Sequence, residues 1–247
     1  MLENKNIIIT GANRGIGKSI MYECAKNRAN IWACMRNYTA DVEEYCEKIQ
    51  KECDVWIKPI LMDYFDEDSI KESVSIVLRD KVSVDGLVNN AGIIGSTALF
   101  SMTSLDDIRR TFQVNFFCPM LFTQRLLKRM IHQGKGSIVN ISSVASLDGD
   151  PGQLGYVSSK AAINGATKKL ARELGQFGIR VNAVAPGMTD TDMSTNIENH
   201  LKEETLGRLS IKRLAYPSEI AKLCAYLLSE QSSFITGQII RIDGGSS

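Results

Sequence analysis

The chain has 247 residues and a formal net charge of +1, and 44% of its residues are hydrophobic. This length allows one domain with a large buried core, while the balanced charge gives no electrostatic basis for binding nucleic acid or a membrane surface. The six cysteines have no CxxC spacing, which indicates reduced thiols and argues against a disulfide framework or a metal site. No apolar stretch has membrane-spanning length, which argues against a membrane span.

The N-terminal segment predicts a strand, a glycine-rich turn and a helix in succession. The apolar run at 6–9 is typical of a buried strand, and its early start argues against a signal peptide, so we expect a cytoplasmic protein. The turn TGANRGIG follows at 10–17 and leads into a helical pattern. This context suits a dinucleotide: Gly11 permits a tight turn, Gly15 lets the backbone approach a pyrophosphate, and Gly17 allows close packing of helix on strand. The phosphates would then face the positive end of the helix.

Apolar strands and amphipathic helices alternate along the rest of the chain. Six more strands are predicted, at 31–34, 56–61, 86–88, 137–141, 180–184 and 239–242. Long helical patterns lie between them, notably over 104–131 and 156–177. This alternation predicts a parallel sheet covered by helices on both faces. We therefore expect a single α/β domain over residues 1–247, with a doubly wound, seven-stranded parallel sheet.

The helical pattern over 104–131 contains Pro119, four residues after Asn115. Proline lacks the N–H that would bond the carbonyl four residues earlier, so the Asn115 carbonyl is expected to be free to bind water. A second interpretation is that Pro119 kinks the helix to fit the sheet, and both can hold.

Tyr156 and Lys160 stand four residues apart on the next long helix, thirteen residues after Ser143. That spacing puts the phenol and the ammonium on one helix face. The charge of Lys160 is predicted to lower the pKa of Tyr156 from about 10 toward the working range of an acid–base catalyst. On its own, such a pair is more often a half-buried tyrosine beside a solvated lysine.

Together these motifs resemble the short-chain dehydrogenase/reductase family. The matching features are the turn at 10–17, Asn89-Asn90-Ala91-Gly92, Asn115, Ser143, Tyr156, Lys160, Pro186-Gly187 and the C-terminal stretch 234–245. Within the family the chain is most similar to the 3-oxoacyl-[acyl carrier protein] reductases. The resemblance implies a Rossmann fold and a ketone reductase whose catalytic residues are Asn115, Ser143, Tyr156 and Lys160.

The resemblance also implies a role for each of these residues. Tyr156 would be the general acid in ketone reduction, and Ser143 would donate a hydrogen bond to the carbonyl oxygen. Lys160 would also hold the nicotinamide ribose, and Asn115 would anchor a water that links Lys160 to bulk solvent. Gln153 matches a residue common in the acyl reductases, so Ser143, Gln153 and Tyr156 are the expected substrate contacts. Without Tyr156 at the right distance, Ser143 would be read as a hydroxyl at a strand end.

The predicted cofactor is NADP(H). The family position that holds the ribose hydroxyls in NAD enzymes falls at Met35, and Arg36 follows it in place of a carboxylate. Arg14 and Arg36 would converge on the 2′-phosphate. By resemblance, Asp63 would accept from the adenine amino group with Tyr64 beside the ring, although Asp63 could equally cap a loop or helix. The expected cofactor contacts are Gly11, Asn13, Arg14, Gly15, Ile16, Gly17, Arg36, Asp63, Tyr64, Asn90, Ala91, Gly92, Tyr156, Lys160, Pro186, Gly187, Thr189 and Thr191; the Asn-Asn-Ala-Gly segment could also serve backbone needs alone.

The favoured substrate is a 3-oxoacyl thioester, either as a small molecule or carried on acyl carrier protein. A cap at about 188–213 would cover the nicotinamide, with four apolar candidates: Met193, Leu201, Leu206 and Leu209. Family arginines that dock the carrier protein correspond here to Gly134 and Phe177, although three nearby cations could substitute: Lys128, Arg129 and Lys135. Two alternatives stay open: reduction of another carbonyl compound such as a sugar, quinone or polyketide-like ketone, and a non-catalytic dinucleotide-binding regulator.

The assembly is expected to be a homotetramer of two-fold symmetry. The helical patterns over 104–131 and 156–177 carry more apolar surface than one sheet face needs. The second also carries small residues that permit close approach of another helix, at Ala161, Ala162, Gly165 and Ala166. With the family resemblance, this predicts assembly through those helices.

Overall fold

The computed structural model describes residues 1–191 and 206–246. Seven parallel strands form one sheet in the order β3-β2-β1-β4-β5-β6-β7. They are β1 (Asn6–Thr10), β2 (Asn30–Met35), β3 (Ile57–Leu61), β4 (Gly86–Asn89), β5 (Gly136–Ile141), β6 (Ile179–Pro186) and β7 (Ile239–Ile242). The predicted seven-stranded parallel sheet is confirmed. Its strand order reverses between β1 and β4, which in such sheets creates a crevice at the carboxyl ends of the strands.

Helices cover both faces of the sheet, as predicted for a doubly wound fold. On one face lie α1 (Gly15–Lys26), α2 (Ala40–Cys53) and α8 (Pro217–Leu228). On the other lie α3 (Glu67–Arg79), α5 (Cys118–Gln133) and α7 (Leu154–Leu174). Two further helices are α4 (Leu105–Phe112), which packs on α7, and the short α6 (Ala145–Asp148) between β5 and α7.

Alternation along the strands divides the core into two layers. Ile7 and Ile9 of β1 belong to the cluster under α1, α2 and α8, whereas Ile8 belongs to the cluster under α3, α5 and α7. Successive side chains of a strand point to opposite faces, so an unbroken apolar strand fills both layers. Burying each such side chain contributes about 1.5–3 kcal/mol.

The helix predicted over 104–131 is interrupted. α4 ends at Phe112, Gln113–Phe117 forms a π-helical turn, and α5 begins at Cys118. The Cys118 N–H bonds the Gln113 carbonyl five residues back, and Pro119 lies in the first turn of α5, where an intrahelical N–H bond is not needed. The backbone keeps a right-handed helical conformation at both ends of this turn, so Pro119 lies just after a π-helical turn within one helical run.

The predicted cap is described only at its two ends, and Met193 and Leu201 lie outside the described residues. At its start, Thr189 bridges to Ala215, and near its end Leu209 is buried and bridges to Ser246. Among residues 1–191 and 206–246, no helix combines the length and apolar character needed to span a bilayer.

A buried carboxylate joins several segments at the amino-terminal edge of the sheet. The side chain of Asp85, 4% exposed, directly precedes β4. It accepts hydrogen bonds from the Ser83 hydroxyl at 2.6 Å and from the Asn6 backbone N–H at 3.0 Å, and it lies 3.2 Å from the Lys135 ammonium. Burial on its own raises the pKa of the Asp85 carboxyl, but these partners outweigh burial and hold the pKa below its usual value.

Replacing Asp85 with Asn should lower the free energy of unfolding at pH 7 by about 1–3 kcal/mol, because a buried charged acceptor loses its charge. The folded-state pKa is depressed, so the carboxylate stabilises the fold above its unfolded pKa of about 3.9 and stops doing so as the pH falls through the folded-state pKa. Urea unfolding should therefore show the gap between wild type and Asp85→Asn narrowing below about pH 5.

The matched control is Asp54→Asn, which removes a carboxylate that is 94% exposed. It should change the free energy of unfolding by less than about 0.5 kcal/mol. A gap for Asp85→Asn that stayed constant on acidification would contradict the account of the buried carboxylate.

Candidate active site

The predicted site residues gather at the carboxyl edge of the sheet. The glycine-rich turn follows β1, Asn90-Ala91-Gly92 follows β4, Ser143 follows β5, and Pro186-Gly187 closes β6. Tyr156 and Lys160 project from the first two turns of α7. Parallel strands end at one edge, so segments distant in sequence meet at the crevice beside the switch in strand order.

Backbone geometry makes glycine necessary in the turn at 10–17. Gly11 and Gly15 have φ values of +67° and +52°, where a side chain is strained. A Cβ at Gly17 would lie 2.1 Å from the Gly11 carbonyl oxygen and 2.5 Å from Asn90 Nδ2. α1 begins at Gly15 without a side-chain cap, so its first N–H groups are available to an anion. The turn thus fits the pyrophosphate of a dinucleotide, with Asn13 and Ile16 half-buried within it.

Thr10 and Asn90 fix this turn to the segment after β4. The Asn90 side-chain amide donates to the carbonyls of Thr10 and Gly11, at 2.9 and 3.2 Å. The Thr10 hydroxyl accepts the backbone N–H groups of Asn90 and Ala91, at 3.0 and 3.1 Å. At Asn90 the side chain therefore meets backbone needs, as the simpler interpretation of the Asn-Asn-Ala-Gly segment expected.

Asp63 and Tyr64 follow β3 and differ from each other in surroundings. One Asp63 carboxylate oxygen accepts the Phe65 N–H at 2.9 Å, so Asp63 caps its own loop, which was its alternative interpretation. Tyr64 is 6% exposed and lies in the core cluster beneath α3 and α5. This burial agrees with the large apolar surface that an aromatic ring gains by packing in a core, and the place of Tyr64 beside the adenine stays a prediction.

The two predicted phosphate-binding arginines are both exposed at the carboxyl edge. Arg14 lies in the glycine-rich turn and Arg36 directly follows β2, whereas Met35 is buried. The segment after β2 carries no carboxylate before Asp41, in the first turn of α2. This edge therefore presents positive charge where an acidic residue would otherwise hold ribose hydroxyls.

Ser143, Tyr156 and Lys160 form a largely buried cluster. The Ser143 hydroxyl lies close enough to the Tyr156 phenol to lower its pKa. Lys160, 5% exposed, donates from Nζ to the Ile141 carbonyl at 2.7 Å, and this Nζ lies 5.8 Å from the centroid of the Tyr156 ring. A Cβ at Gly92 would lie 3.4 Å from the same Nζ. The structure thus brings these three residues together next to the segment expected to line the ribose.

Burial governs how this cluster titrates. It raises the pKa of Tyr156, an effect opposed by the hydrogen bond from Ser143 and reinforced by the negative charge of Asp150. It lowers the pKa of Lys160 to about 8. The direction for Tyr156 is opposite to the predicted one, because the Lys160 ammonium points to the Ile141 carbonyl and burial disfavours both charged forms. At neutral pH the phenol therefore keeps its proton.

Asn115 lies in the π-helical turn, and its buried side chain clamps the segment after β4. Its Oδ1 accepts the Ile93 N–H at 2.9 Å, and its Nδ2 donates to the Ile93 carbonyl at 2.8 Å and to the Ser159 hydroxyl at 3.0 Å. The sequence prediction concerned the Asn115 backbone carbonyl and missed this clamp. An amide among apolar neighbours was the available signal, since a buried amide needs partners.

The end of β6 is packed tightly against the chain terminus. A Cβ at Gly187 would lie 2.9 Å from Asp243 Cα, and the Thr189 hydroxyl donates to the Gly187 carbonyl at 3.0 Å. Thr191 lies near the glycine-rich turn, since a Cβ at Gly15 would be 3.5 Å from Thr191 Cγ2. The predicted contacts of these residues with the nicotinamide and with a phosphate stay predictions.

Two further features bear on substrate contact. Gln153 is half-buried directly before α7, and its carbonyl accepts the Val157 N–H at 2.9 Å. The second feature, absent from the sequence interpretation, is a chain of hydrogen bonds from Ser142 to Asn164 (2.7 Å), from Asn164 to Ser146 (2.9 Å) and from Ser146 to the Ser143 carbonyl (2.6 Å). Its signal was Asn164, four residues after Lys160 on the same helix face.

Known proteins share this geometry. A family model described as Enoyl-(Acyl carrier protein) reductase matches residues 11–247. The 3-oxoacyl-[acyl-carrier-protein] reductase FabG of Thermotoga maritima is 39% identical, over 99% of this chain and 98% of its own. A 3-oxoacyl-[acyl-carrier protein] reductase from Brucella melitensis, solved with bound NAD, is 34% identical with a TM-score of 0.89, over 99% of this chain and 91% of its own. A 7α-hydroxysteroid dehydrogenase, solved with NADH and 7-oxo glycochenodeoxycholic acid, is 32% identical with a TM-score of 0.93, over 99% of this chain and 95% of its own.

Proposed function

The chain belongs to the short-chain dehydrogenase/reductase family, and we propose that it uses NADPH to reduce a 3-oxoacyl thioester to the 3-hydroxyacyl product. It is an oxidoreductase of the kind that uses a nicotinamide dinucleotide. The observation that carries the proposal is the cluster of Ser143, Tyr156 and Lys160, in which a protonated phenol lies near a buried lysine and that lysine lies beside Gly92. The six unpaired cysteines support a reducing compartment such as the cytoplasm.

In the proposed reaction, the chain positions the carbonyl and manages its developing charge. When bound, the nicotinamide supplies the hydride. Tyr156 gives its proton to the carbonyl oxygen, and the Ser143 hydroxyl donates a hydrogen bond that stabilises negative charge on that oxygen. Asn115 holds the wall formed by Gly92 and its neighbours, and Lys160 lies beside this wall, against which the ribose would rest. The protonated state of Tyr156 at neutral pH favours the reductive direction.

Replacing Tyr156 with Phe removes the proton donor but keeps the ring. Turnover should fall at least about a hundredfold while NADPH binding changes little. NADPH oxidation and fluorescence titration of NADPH measure the two quantities. Tyr226→Phe is the control, because its hydroxyl bonds only the Gln231 carbonyl at the end of α8. Activity of Tyr156→Phe close to wild type would exclude Tyr156 as the acid.

The preference for NADPH is proposed from the arginines at 14 and 36. Arg36→Asp would place a carboxylate against the 2′-phosphate and offer NADH an acceptor for its ribose hydroxyls. The ratio of kcat/KM for NADPH to that for NADH should fall at least about tenfold. Arg36→Gln removes the attraction to the 2′-phosphate without adding the repulsion of a carboxylate. Its ratio of kcat/KM values should therefore lie between those of the wild type and Arg36→Asp. A wild-type enzyme that already prefers NADH would refute the proposal.

The substrate proposal rests on likeness to acyl reductases. The charges at the amino-terminal edge of the sheet, opposite the candidate site, bear on whether a carrier protein is recognised. Gly134 precedes β5 and Phe177 precedes β6, so both lie at the amino-terminal edge, away from Tyr156. Of the three cations suggested as substitutes, Lys135 pairs with Asp85, and Arg129 donates to the carbonyls at 81 and 82. Only Lys128 is an exposed cation without these duties, which supports weak recognition of an acidic carrier protein.

A substrate panel tests this directly. Acetoacetyl-CoA should be reduced, and the carrier-protein thioester should be preferred over it by less than about tenfold, with little salt sensitivity. Crotonyl-CoA tests enoyl reduction, and a sugar ketone, a quinone and a 7-oxo steroid test the second candidate, reduction of another carbonyl, which the likeness to the steroid dehydrogenase favours. Brisk reduction of one of those ketones with inert thioesters would establish the second candidate. NADPH binding without any reduction would point to a regulator.

We also propose a homotetramer of two-fold symmetry. Large apolar side chains are exposed around α4 and the start of α5, at Leu99, Phe100, Met102, Leu105 and Phe117. Exposed apolar surface of this extent is typical of protein–protein contacts. Light scattering at micromolar concentration should give about four times the chain mass of 27.3 kDa. Phe117→Asp should shift the mass downward, whereas Leu78→Asp on α3 should not; a stable wild-type monomer would rule the tetramer out.

A further inference from the structure

Arg241 of β7 binds two carboxylates at once at the edge of the candidate site. Its Nη1 and Nη2 donate to the two oxygens of Asp148 at 2.6 and 2.8 Å. Its Nε donates to Asp243 Oδ2 at 2.9 Å, and its Nη2 lies 2.7 Å from the same oxygen. The two carboxylates raise the pKa of Arg241, and the Arg241 guanidinium lowers the pKa of Asp148, so Arg241 and Asp148 are both charged at neutral pH. This paired geometry needs the planar fork of arginine.

The Asp148 end of the contact fixes the segment between Ser143 and Tyr156. Asp148 is the last residue of α6, whose first turn bonds Ser143 directly: the Ala145 N–H donates to Ser143 Oγ at 3.2 Å. After Asp148 the chain passes through Asp150, whose charge acts on the Tyr156 phenol. A shift of Asp148 would therefore move groups on both sides of the reacting carbonyl.

The Asp243 end fixes the wall expected beside the nicotinamide. Asp243, 10% exposed, packs against Gly187, where a Cβ would meet it at 2.9 Å. Its other oxygen accepts the Gly245 N–H at 3.1 Å. The carbonyls of Gly244 and Gly245 then accept the N–H groups of Ile211 and Ser210, at 2.9 and 3.2 Å, which ties down the described end of the cap.

We propose that Arg241 is a positioning residue for the reaction: through Asp148 and Asp243 it holds the Ser143–Tyr156 segment in register with the nicotinamide wall and the end of the cap. The inference rests on the proposed carbonyl reduction. Hydride and proton transfer are sensitive to misplacement on the order of 1 Å, so a tie between the two sides of the substrate acts on turnover. Arg241 and Asp148 are both partly exposed, and exposed ion pairs add little to global stability. Loss of the contacts of Arg241 should therefore lower turnover more than it lowers the free energy of unfolding.

The test compares Arg241→Gln, Arg241→Lys and Asp148→Asn with the wild-type enzyme. Arg241→Gln should lower kcat about tenfold while changing the Kd for NADPH less than about twofold. Arg241→Lys keeps the charge but loses the fork, and should recover part of the loss. The kcat of the double variant Arg241→Gln/Asp148→Asn should be no lower than that of Arg241→Gln alone, because both substitutions break the same contact between Arg241 and Asp148. Arg28→Gln, which removes an exposed pair with Asp54, is the control and should leave kcat unchanged.

Hydrogen exchange gives a measurement that does not depend on turnover. The N–H groups of Asp148 and Gly149 bond the carbonyls of Val144 and Ala145. These N–H groups should exchange faster in Arg241→Gln than in the wild type, and at the wild-type rate in Arg28→Gln. Neither substitution should shift the free energy of global unfolding. Wild-type kcat retained in Arg241→Gln, or a fall in kcat matched by a fall in melting temperature, would overturn the positioning role. A wild-type enzyme that reduced no carbonyl compound would refute the proposed function instead, and the exchange result would still decide whether Arg241 holds α6.

Discussion

The site depends on a lysine ammonium held in a nearly dry environment. Taking a charge of this kind out of water costs several kcal/mol unless it is compensated, and the fall of the Lys160 pKa to about 8 reflects that cost. The Ile141 carbonyl, at the end of β5, accepts from this ammonium. Gly92 lies beside it, where a Cβ would be 3.1 Å from Asn115 Oδ1 and 3.4 Å from Lys160 Nζ. The same desolvation keeps the nearby Tyr156 protonated, so one constraint shifts the pKa values of both groups toward their neutral forms.

A buried polar layer supports that arrangement from beneath. Asn89 of β4 donates to Thr123 of α5 and to Asn140 of β5, and Asn140 donates to Thr167 of α7, all at 2.9–3.0 Å. The layer thus ties two central strands to the helix that carries Lys160 and to the helix that follows the π-helical turn. Buried polar networks of this sort fix relative positions, because a misplaced partner would leave a polar group unpaired. The hydrogen bonds of this buried layer therefore help to fix the positions of the site residues.

The same scaffold leaves the choice of substrate to its periphery. Proteins named for acyl thioesters and for a steroid both match this chain over 99% of its length. What they share is the sheet and its carboxyl edge, and a shared fold does not decide a substrate. Segments around that edge, such as the loop at 148–153 and the ends of the predicted cap, are the parts of this chain that lie nearest to a bound substrate in the proposed function. The double ion pair of Arg241 lies between Asp148 and Asp243 at this edge.

The sequence by itself determined the strands, the glycine-rich turn and the pairing of Tyr156 with Lys160, because these follow from local apolar runs, backbone freedom and helical spacing. It also marked an irregular helix at Pro119, though not that a π-helical turn would precede it. Tertiary structure alone decided which groups lose water and which polar groups meet across the chain. The Tyr64 ring is buried in the core. Burial also raises the pKa of Tyr156, where the sequence predicted a lower pKa. The partners of Asn115, and Asp148 as a partner of Arg241, come from segments far away in sequence, and no local pattern encodes such contacts or the desolvation that accompanies them.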